Sequence, residues 1–323
     1  MKQLAQLGQW IFGLVFFASI LVASSLGCEP APISSPIHTS IGPNPKLTGL
    51  AGLASTQENI ITRSPLLTPS PTTSTTFPAP QTATYPPSVL AIQSLPTVAL
   101  SDEIVREMLE KVSIDRALVD LRRLTGEDPI CIESRCYTIT DRGTGSEGLA
   151  WAKKYVLGEL ASLGYSIEIR DWSREGWVDQ NLIARKQGVQ QPEEEIYFVT
   201  HLDGVASSPA ADDNGSGVVD LLELARVLSN YSSSRTVVLL FTTGEEQGSL
   251  GSQTYVDHLS AEEISAIRYV TNIDMIGYDS DNDGVMQLWP GDHPPSLAFA
   301  EMIGGIINTY PIDLKPSIFT DCY

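Results

Sequence analysis

The chain has 323 residues, enough for one large domain or two small ones. Acidic residues outnumber basic residues 39 to 20, which gives a formal net charge of −19 at pH 7. This composition argues against a nucleic-acid partner, because there is no basic excess to neutralise phosphates. The acidity fits a protein that stays soluble outside the cell, and an acidic pocket that holds cations is the alternative explanation.

Residues 1–28 have the composition of an export signal. Lys2 supplies a positive charge, and the apolar run at residues 10–23 is too short for a comfortable membrane span. The segment closes with Ser25-Leu26-Gly27-Cys28, which resembles a bacterial lipoprotein signal in which the cysteine is lipidated after cleavage. The leucine stands one position nearer to the cysteine than in that pattern, so ordinary cleavage remains the alternative. We predict an exported, extracellular or cell-surface protein that reaches the membrane only through a lipid on Cys28.

Residues 29–100 read as a linker. Most of the 21 prolines lie here among Ser, Thr and Ala, and charged residues are few. Such a segment cannot bury enough apolar surface to offset its chain entropy, so we expect a disordered tether. The folded domain is then residues 101–323.

Helical and strand patterns alternate along this domain. Amphipathic periodicity and cap residues mark the helices, and short β-branched or aromatic runs mark the strands. The predicted helices are residues 101–124 with a break near Ser113, 146–163, 217–228, 250–258 and 295–309. The predicted strands are residues 165–171, 181–186, 196–200, 236–242, 269–275 and 285–289. The alternation predicts an α/β fold with three layers, α/β/α, around a mostly parallel mixed sheet.

Two cysteines lie in the loop between the first two predicted helices. Cys131 and Cys136 are close enough for a local disulfide in an oxidising compartment. The pair could instead bind zinc, but no second cysteine pair accompanies it. Cys322 has no evident partner in the sequence.

Imidazole and carboxylate groups stand at or just past the ends of separate predicted strands. They are His201, Asp213, Glu246 and Asp274. In open α/β sheets, ligands bind at the carboxyl ends of strands, and this set without thiolate suits zinc or a similar divalent cation. Glu245 precedes Glu246. Because adjacent residues rarely face the same way, one of the two can ligate while the other serves as a general base.

Four segments with this pattern resemble the secreted co-catalytic di-zinc aminopeptidases, which share a fold with the glutamate carboxypeptidases and glutaminyl cyclases. The segments are His201-Leu-Asp203, Ala211-Asp-Asp213-Asn-Gly-Ser-Gly217, Gly244-Glu-Glu-Gln-Gly248 and Asn272-Ile-Asp274-Met275. Each segment alone is weak, but the four in this order and spacing are specific. The resemblance covers about residues 101–323 and implies a sheet of the zinc-exopeptidase type.

The resemblance implies two Zn²⁺ ions in a complete site. His201 and Asp274 would hold one zinc, Glu246 would hold the other, and Asp213 would bridge them. The family pattern favours Asp213 over Asp212 because its bridging aspartate lies three residues before the serine of the Ser-Gly pair. For Asp212, a turn-forming or helix-capping role is the better interpretation.

The resemblance also implies how the remaining groups act. Asp203 would hydrogen-bond the second nitrogen of His201 and fix its orientation. Glu245 would take a proton from a metal-bridging water and pass it to the leaving amine. The peptide bond after Asp213 would be cis.

The implied activity is hydrolysis of the N-terminal peptide bond of peptides, by a metal-bridging hydroxide with a glutamate as general base. A glutaminyl cyclase or a carboxypeptidase of the same fold is the alternative among enzymes. A surface binding module that kept the fold and lost the chemistry is the alternative from another class.

One part of the family pattern is not found in this sequence. The family places a last metal-ligating histidine in a Ser-Asp-His segment shortly after a position like Asp321-Cys322, and the sequence ends at Tyr323. His258 on a predicted helix and His293 in a Pro-rich loop are poor substitutes. We therefore expect a chain truncated before that ligand, which binds about one metal at the His201 position and is nearly inactive in this form.

Residues 279–284 match the first half of a calcium-binding loop. Pro290 stands where that loop needs a bidentate glutamate, so a tight hairpin turn is the better interpretation.

Overall fold

The computed structural model describes residues 102–320, apart from residues 292 and 311. The predicted export signal with Cys28 and the predicted linker lie outside the described residues, as do Cys322 and Tyr323. No helix in the described part of the chain is long and apolar enough to cross a membrane.

Seven α-helices and nine strands are found among the described residues. The helices are α1 (Asp102–Lys111), α2 (Ile114–Leu124), α3 (Glu147–Ser162), α4 (Gly217–Leu228), α5 (Leu250–Asp257), α6 (Ala261–Ala266) and α7 (Pro294–Thr309). The strands are β1 (Ile130–Ile132), β2 (Arg135–Tyr137), β3 (Ser166–Arg174), β4 (Trp177–Lys186), β5 (Gln191–His201), β6 (Arg235–Thr242), β7 (Ile267–Asn272), β8 (Val285–Leu288) and β9 (Lys315–Ile318). A π-helical turn, Ala211–Ser216, leads into α4.

A five-stranded mixed sheet with the order β3-β4-β6-β5-β7 lies at the centre. β4 is antiparallel to both of its neighbours, whereas β5 is parallel to β6 and to β7. All strands of this sheet except β4 therefore run in one direction, and their carboxyl ends share one edge. The predicted mostly parallel mixed sheet is confirmed.

Both faces of the sheet are covered by helices. On β5, Phe198 belongs to the large core that also contains residues of α2, α3 and α4, such as Leu222. The next side chain back along the strand, Tyr197, belongs to a smaller core on the opposite face with Val238 of β6 and Tyr255 of α5. This alternation follows from the two-residue period of a strand. The predicted three-layer α/β/α arrangement is confirmed.

Local cap signals set the helix boundaries near the predicted positions. The hydroxyl of Ser113 accepts a hydrogen bond from the backbone N–H of Arg116 at 3.4 Å, so a new helix begins after the predicted break. The hydroxyl of Ser146 caps α3 through the N–H of Leu149 at 3.0 Å. Gly164 follows this helix with φ of 82°, the left-handed conformation that glycine adopts at helix ends.

Three elements were not expected from the sequence. Helix α6 has no buried residue and is held by the capping box of Ser260 and Glu263, so it gives no apolar periodicity. Strand β9 contains Pro316, a residue that weakens a strand pattern. The cysteine loop contains the short hairpin of β1 and β2, in which Cys131 pairs with Cys136 and their sulfurs are bonded at 2.03 Å.

The hairpin predicted at residues 279–284 is wrong. Strand β8 pairs with β9 in parallel, so no strand returns across this turn. The segment instead folds around the carboxylate of Asp279, which accepts hydrogen bonds from the backbone N–H groups of Asn282 at 2.8 Å and Gly284 at 3.1 Å.

The buried ring of Phe198 should be a main source of stability, because it lies in a central strand and is 0% exposed. We expect Phe198→Ala to lower the free energy of unfolding by about 3–5 kcal/mol through lost burial and the cavity left behind. Urea denaturation followed by circular dichroism measures this change. Val178→Ala is the control, because Val178 is 66% exposed and its loss should change stability by less than about 0.5 kcal/mol. Equal destabilisation by both substitutions would contradict the described core.

Candidate metal centre

The imidazole of His201 lies at the carboxyl end of β5 and is 4% exposed. Its Nδ1 lies 3.1 Å from the backbone carbonyl oxygen of Asp203. A carbonyl oxygen can only accept a hydrogen bond, so Nδ1 carries a proton and Nε2 is the nitrogen available to a ligand. Nε2 lies 3.1 Å from Oδ1 of Asp213 and 3.5 Å from Oδ1 of Asp274.

The four other predicted metal and base residues lie around this imidazole. His201, Asp213 and Asp274 each offer a ligand atom within 4.8 Å of the others, and so do His201, Glu245 and Glu246. The side chains of Asp213 and Asp274 are 45% and 40% exposed. The cluster therefore opens to solvent on its carboxylate side, while the imidazole closes it on the buried side.

The carboxylate of Asp203 connects neighbouring loops. Its Oδ1 lies 3.6 Å from Nδ1 of His201, longer than a hydrogen bond, so the expected bond to the imidazole is made by the Asp203 carbonyl. Its Oδ2 accepts hydrogen bonds from the hydroxyl of Thr144 at 3.1 Å and from the N–H of Glu246 at 3.3 Å. These two donors hold the side chain in place. Asp203 thereby links the His201 strand end to the loop of Glu246.

The electrostatics of the cluster favour a cation. Burial opposes protonation of His201, but the carboxylates of Asp203 and Asp274 outweigh it and raise the pKa of His201 to about 10. Burial, followed by the negative charge of Asp213, raises the pKa of Glu246. Crowded carboxylates that resist ionisation are stabilised when positive charge lies between them.

Two buried atoms provide a test of whether the residues fit a metal. Among the described residues, Nε2 of His201 and Oε1 of Glu246 have no partner in hydrogen-bonding geometry. Proteins rarely leave buried polar atoms unpaired, and imidazole nitrogen with carboxylate oxygen is a typical ligand set for zinc. The cluster fits a divalent cation. The individual roles of its members as ligands or base stay predictions.

Glu245 lies beside this cluster in the loop that follows β6. Its side chain is half-buried, and its Oε1 accepts a hydrogen bond from the hydroxyl of Ser249 at 3.2 Å. The backbone carbonyl of Glu245 accepts hydrogen bonds from the N–H groups of Gly248 and Ser249, both at 2.8 Å. The loop is therefore a closed turn with a fixed carboxylate.

Residues 181–309, which contain all five of these residues, match the family model described as Peptidase family M28. This part of the chain is similar to peptidase family M28. The resemblance seen in the sequence is confirmed.

Relatives of known name agree with the family. A probable leucine aminopeptidase 2 of Aspergillus oryzae is 34% identical over 142 residues, 42% of this chain and 28% of the relative. Aminopeptidase YwaD of Bacillus subtilis is 42% identical over 99 residues, 30% of this chain and 22% of the relative. The chain thus spans less than a third of the length of these relatives. The LapA aminopeptidase of Legionella pneumophila shares the fold, with a TM-score of 0.54 and 21% identity over 69% of this chain and 58% of that one.

Asn214 connects three segments of this site and was missed as a functional residue, since the sequence suggests only a turn. It is fully buried, and its Nδ2 donates to the hydroxyl of Thr200 at 3.0 Å and to the carbonyl of Ile273 at 2.8 Å. Its Oδ1 accepts from the N–H of Gly217 at 2.9 Å. Thr200 and Ile273 are the neighbours of His201 and Asp274, so one side chain holds the predicted ligands in register. The peptide bond between Asp213 and Asn214 is cis, as predicted.

Gly217 allows the segments that contain Asn214, Thr200 and Ile273 to lie close to one another. A Cβ atom at this position would lie 2.5 Å from Oδ1 of Asn214, 2.5 Å from the hydroxyl oxygen of Thr200 and 2.8 Å from the carbonyl oxygen of Ile273. Such distances are not tolerated, so glycine is required by packing at the start of α4.

A second pair of positioning side chains supports the loop of Glu245. Asn181 is buried in β4, where its Oδ1 accepts from the N–H of Thr243 at 3.1 Å and its Nδ2 donates to the carbonyl of Gly251 at 2.8 Å. Trp172 of β3 donates from its indole N–H to the hydroxyl of Thr243 at 2.9 Å. The place of Asn181 directly before the apolar run Leu182-Ile-Ala184 was the one sequence signal that could have identified this residue.

A cleft of about 660 Å³ lies beside the loop that begins α3. It is lined by residues of β3 and β4 and of the start of α3, among them Trp172, Val178 and Gly145. Gly145 follows Thr144, whose hydroxyl contacts the carboxylate of Asp203 at 3.1 Å. Thr144 is thus the link between the cleft and Asp203, and none of the five predicted metal and base residues lines the cleft.

The other described histidines do not join the cluster. His258 directly follows α5 and lines a second cleft with Arg170 and Glu263, and its Nδ1 is 2.7 Å from the carbonyl oxygen of Thr254. His293 precedes α7 and belongs to no group of metal-ligating side chains among the described residues. The positions of His258 and His293 agree with the expectation from the sequence that they are poor substitutes for the last ligand.

Asn214→Ala should disorganise the predicted ligands, because it removes the hydrogen bonds to the neighbours of His201 and Asp274. We expect zinc affinity to fall by about 10- to 100-fold, as is typical when groups that orient ligands are lost. A competition titration with a chromophoric chelator measures this affinity. Asn230→Ala is the matched control, since the exposed Asn230 bonds to the carbonyls of Arg226 and Val227 at the end of α4. Unchanged zinc affinity in Asn214→Ala would refute the positioning role.

Proposed function

We propose that the protein is a zinc-dependent aminopeptidase that hydrolyses the N-terminal peptide bond of peptides. The observation that carries the proposal is the convergence of His201, Asp213 and Asp274 within 4.8 Å, with Glu245 and Glu246 beside the same imidazole. This cluster lies inside the region that matches peptidase family M28, and the named relatives are aminopeptidases.

Two zinc ions would occupy a complete site. His201, Asp213 and Asp274 would hold the first, and Asp213 would share the second with Glu246. When bound, such a metal pair polarises the scissile carbonyl and lowers the pKa of water towards neutrality. The protein's own part is to hold these ligands in position.

Glu245 would move the proton. Its carboxylate takes a proton from the attacking water and delivers it to the nitrogen of the leaving amine, so that the peptide C–N bond breaks as a neutral amine departs. The hydrogen bond from the hydroxyl of Ser249 to Oε1, at 3.2 Å, fixes the position of this carboxylate. Glu246 would be left for the metal.

The named relatives of the matched region are aminopeptidases, which supports an aminopeptidase over a carboxypeptidase of the same fold.

The proposed place of action is outside the cell. It rests on the export signal at residues 1–28 and on the linker at residues 29–100, which would carry the enzyme away from its anchor. Cys28 would bear the lipid. Metabolic labelling with a fatty-acid analogue, compared with Cys28→Ser, tests the anchor.

Glu245→Gln distinguishes a role of Glu245 as general base from a role as metal ligand. The amide is nearly isosteric with the carboxylate but cannot take a proton, so we expect zinc content to be kept and turnover of a leucine anilide to fall by about 10²–10⁴-fold. Metal analysis of the purified protein is measured beside activity.

Glu246→Gln is the matched control, because it should lose metal first and activity with it. If Glu245→Gln loses zinc in step with activity, the roles of the two glutamates are reversed. A wild-type protein that binds zinc and hydrolyses no aminoacyl substrate would instead favour the glutaminyl cyclase or the binding module.

The two metal positions should differ in affinity. The first has one imidazole and two carboxylates, whereas the described residues provide the second with the carboxylates of Asp213 and Glu246. Carboxylates alone bind zinc less tightly than a mixed nitrogen and oxygen set. Calorimetric titration should therefore give one tight zinc per chain and a second that is weaker. Two equally tight sites would show that a further residue, such as His293, completes the second position.

A further inference from the structure

Arg142 is a buried guanidinium that the mechanism does not use. It lies in the loop before α3 with an exposure of 0%. Its donors reach the backbone carbonyl oxygens of Leu202 at 3.0 Å, Leu124 at 2.7 Å, Pro209 at 3.0 Å and Ala210 at 2.8 Å. Within the described part of the chain it forms no ion pair. A buried charge without a carboxylate partner is unfavourable in most folds, so its presence calls for a specific reason.

Three of the four carbonyls bound by Arg142 belong to the segment between two predicted ligands. Leu202 directly follows His201, and Ala210 lies three residues before Asp213. The backbone carbonyl of Arg142 also accepts a hydrogen bond from the N–H of Gly204 at 3.1 Å. One residue therefore closes residues 202–210 into a loop with both ends fixed.

The turn that carries Asp213 packs directly onto this guanidinium. A Cβ atom at Gly215 would lie 2.7 Å from the carbonyl oxygen of Ala210 and 3.4 Å from Nη2 of Arg142. Glycine is thus needed for the turn to lie this close to the Ala210 carbonyl that Arg142 binds. Burial lowers the pKa of Arg142 to about 10, against the opposing effect of Asp203 and Asp213, so the side chain stays charged at neutral pH.

We propose that Arg142 is a positioning residue of the metal centre. Its guanidinium holds residues 202–210 so that His201 and Asp213 keep the separation at which one cation binds both. The inference rests on the proposed function insofar as these two residues bind zinc. Arginine is required because its planar fork carries five donors that reach carbonyls in several directions, whereas a lysine ammonium has three donors at one point.

The test compares Arg142→Lys with a matched control, Arg226→Lys, in the full chain. Arg226 is also a largely buried arginine, with 13% of its side chain exposed, but it pairs with Asp120 at 2.6 Å and Glu159 at 2.7 Å between helices. We expect the substitution of Arg226 to lower stability without removing a contact to residues 202–210. Two quantities are measured for each variant, namely zinc affinity by chelator competition and amide hydrogen exchange of residues 202–214 in the metal-free protein.

Arg142→Lys should weaken zinc binding by about 10- to 100-fold and speed exchange in residues 202–214. Arg226→Lys should change zinc affinity and amide exchange by less than about twofold, even if it lowers the midpoint of thermal unfolding by more than Arg142→Lys does. Arg142→Gln keeps an uncharged donor and serves as a second variant if the lysine form does not fold.

Wild-type zinc affinity and exchange in either folded Arg142 variant would overturn the inference. So would an equal loss of zinc affinity in Arg226→Lys, because the effect would then follow stability alone. If the wild-type protein binds no zinc, the proposed function fails, and the exchange of residues 202–214 decides the role of Arg142 by itself.

Discussion

The mutual repulsion of carboxylates is the constraint on which the rest of this centre depends. Asp213, Asp274 and Glu246 each have an oxygen near the same imidazole, and the raised pKa of Glu246 reflects its burial and the charge of Asp213. Half-buried carboxyl groups disfavour each other's ionised form unless positive charge lies nearby. His201 supplies such charge when protonated, and Arg142 supplies a permanent one from the buried side. The metal proposed for the site would add the remaining positive charge.

The fold and the residues of the site could be predicted from the sequence because their signals are local. Residues 196–200 form a short apolar run that ends in His201, and Glu246 follows another such run at residues 236–242. Strands that run in one direction bring their ends to one edge of a sheet, so residues far apart in the chain had to meet. The boundary at Ser113 was equally local, since a hydroxyl that caps a helix is visible in the sequence.

The side chains that hold the site together could not be predicted in this way. Arg142 binds the carbonyls of Leu202 and Ala210, which are 60 and 68 positions away. Every residue has a carbonyl, so such an acceptor leaves no pattern in the sequence. Asn214 is a similar case, because its type suggested a turn, and its role depends on where Ile273 arrives in the folded chain. Contacts between a side chain and distant backbone become visible only in three dimensions.

The reversed direction of β4 has a consequence for the shape of the cleft. Since β3 runs with the ligand-bearing strands and β4 runs against them, the turn that joins them, at Glu175 and Gly176, stands at the same edge of the sheet as His201. The walls of the cleft come from β3, β4 and the start of α3, whereas the predicted ligands come from the ends of β5, β6 and β7 and from the turn before α4. Residues added to or removed from the tip of the hairpin would therefore leave every ligand-bearing strand in place, so the size of the cleft and the chemistry of the metal centre are separate variables of the fold.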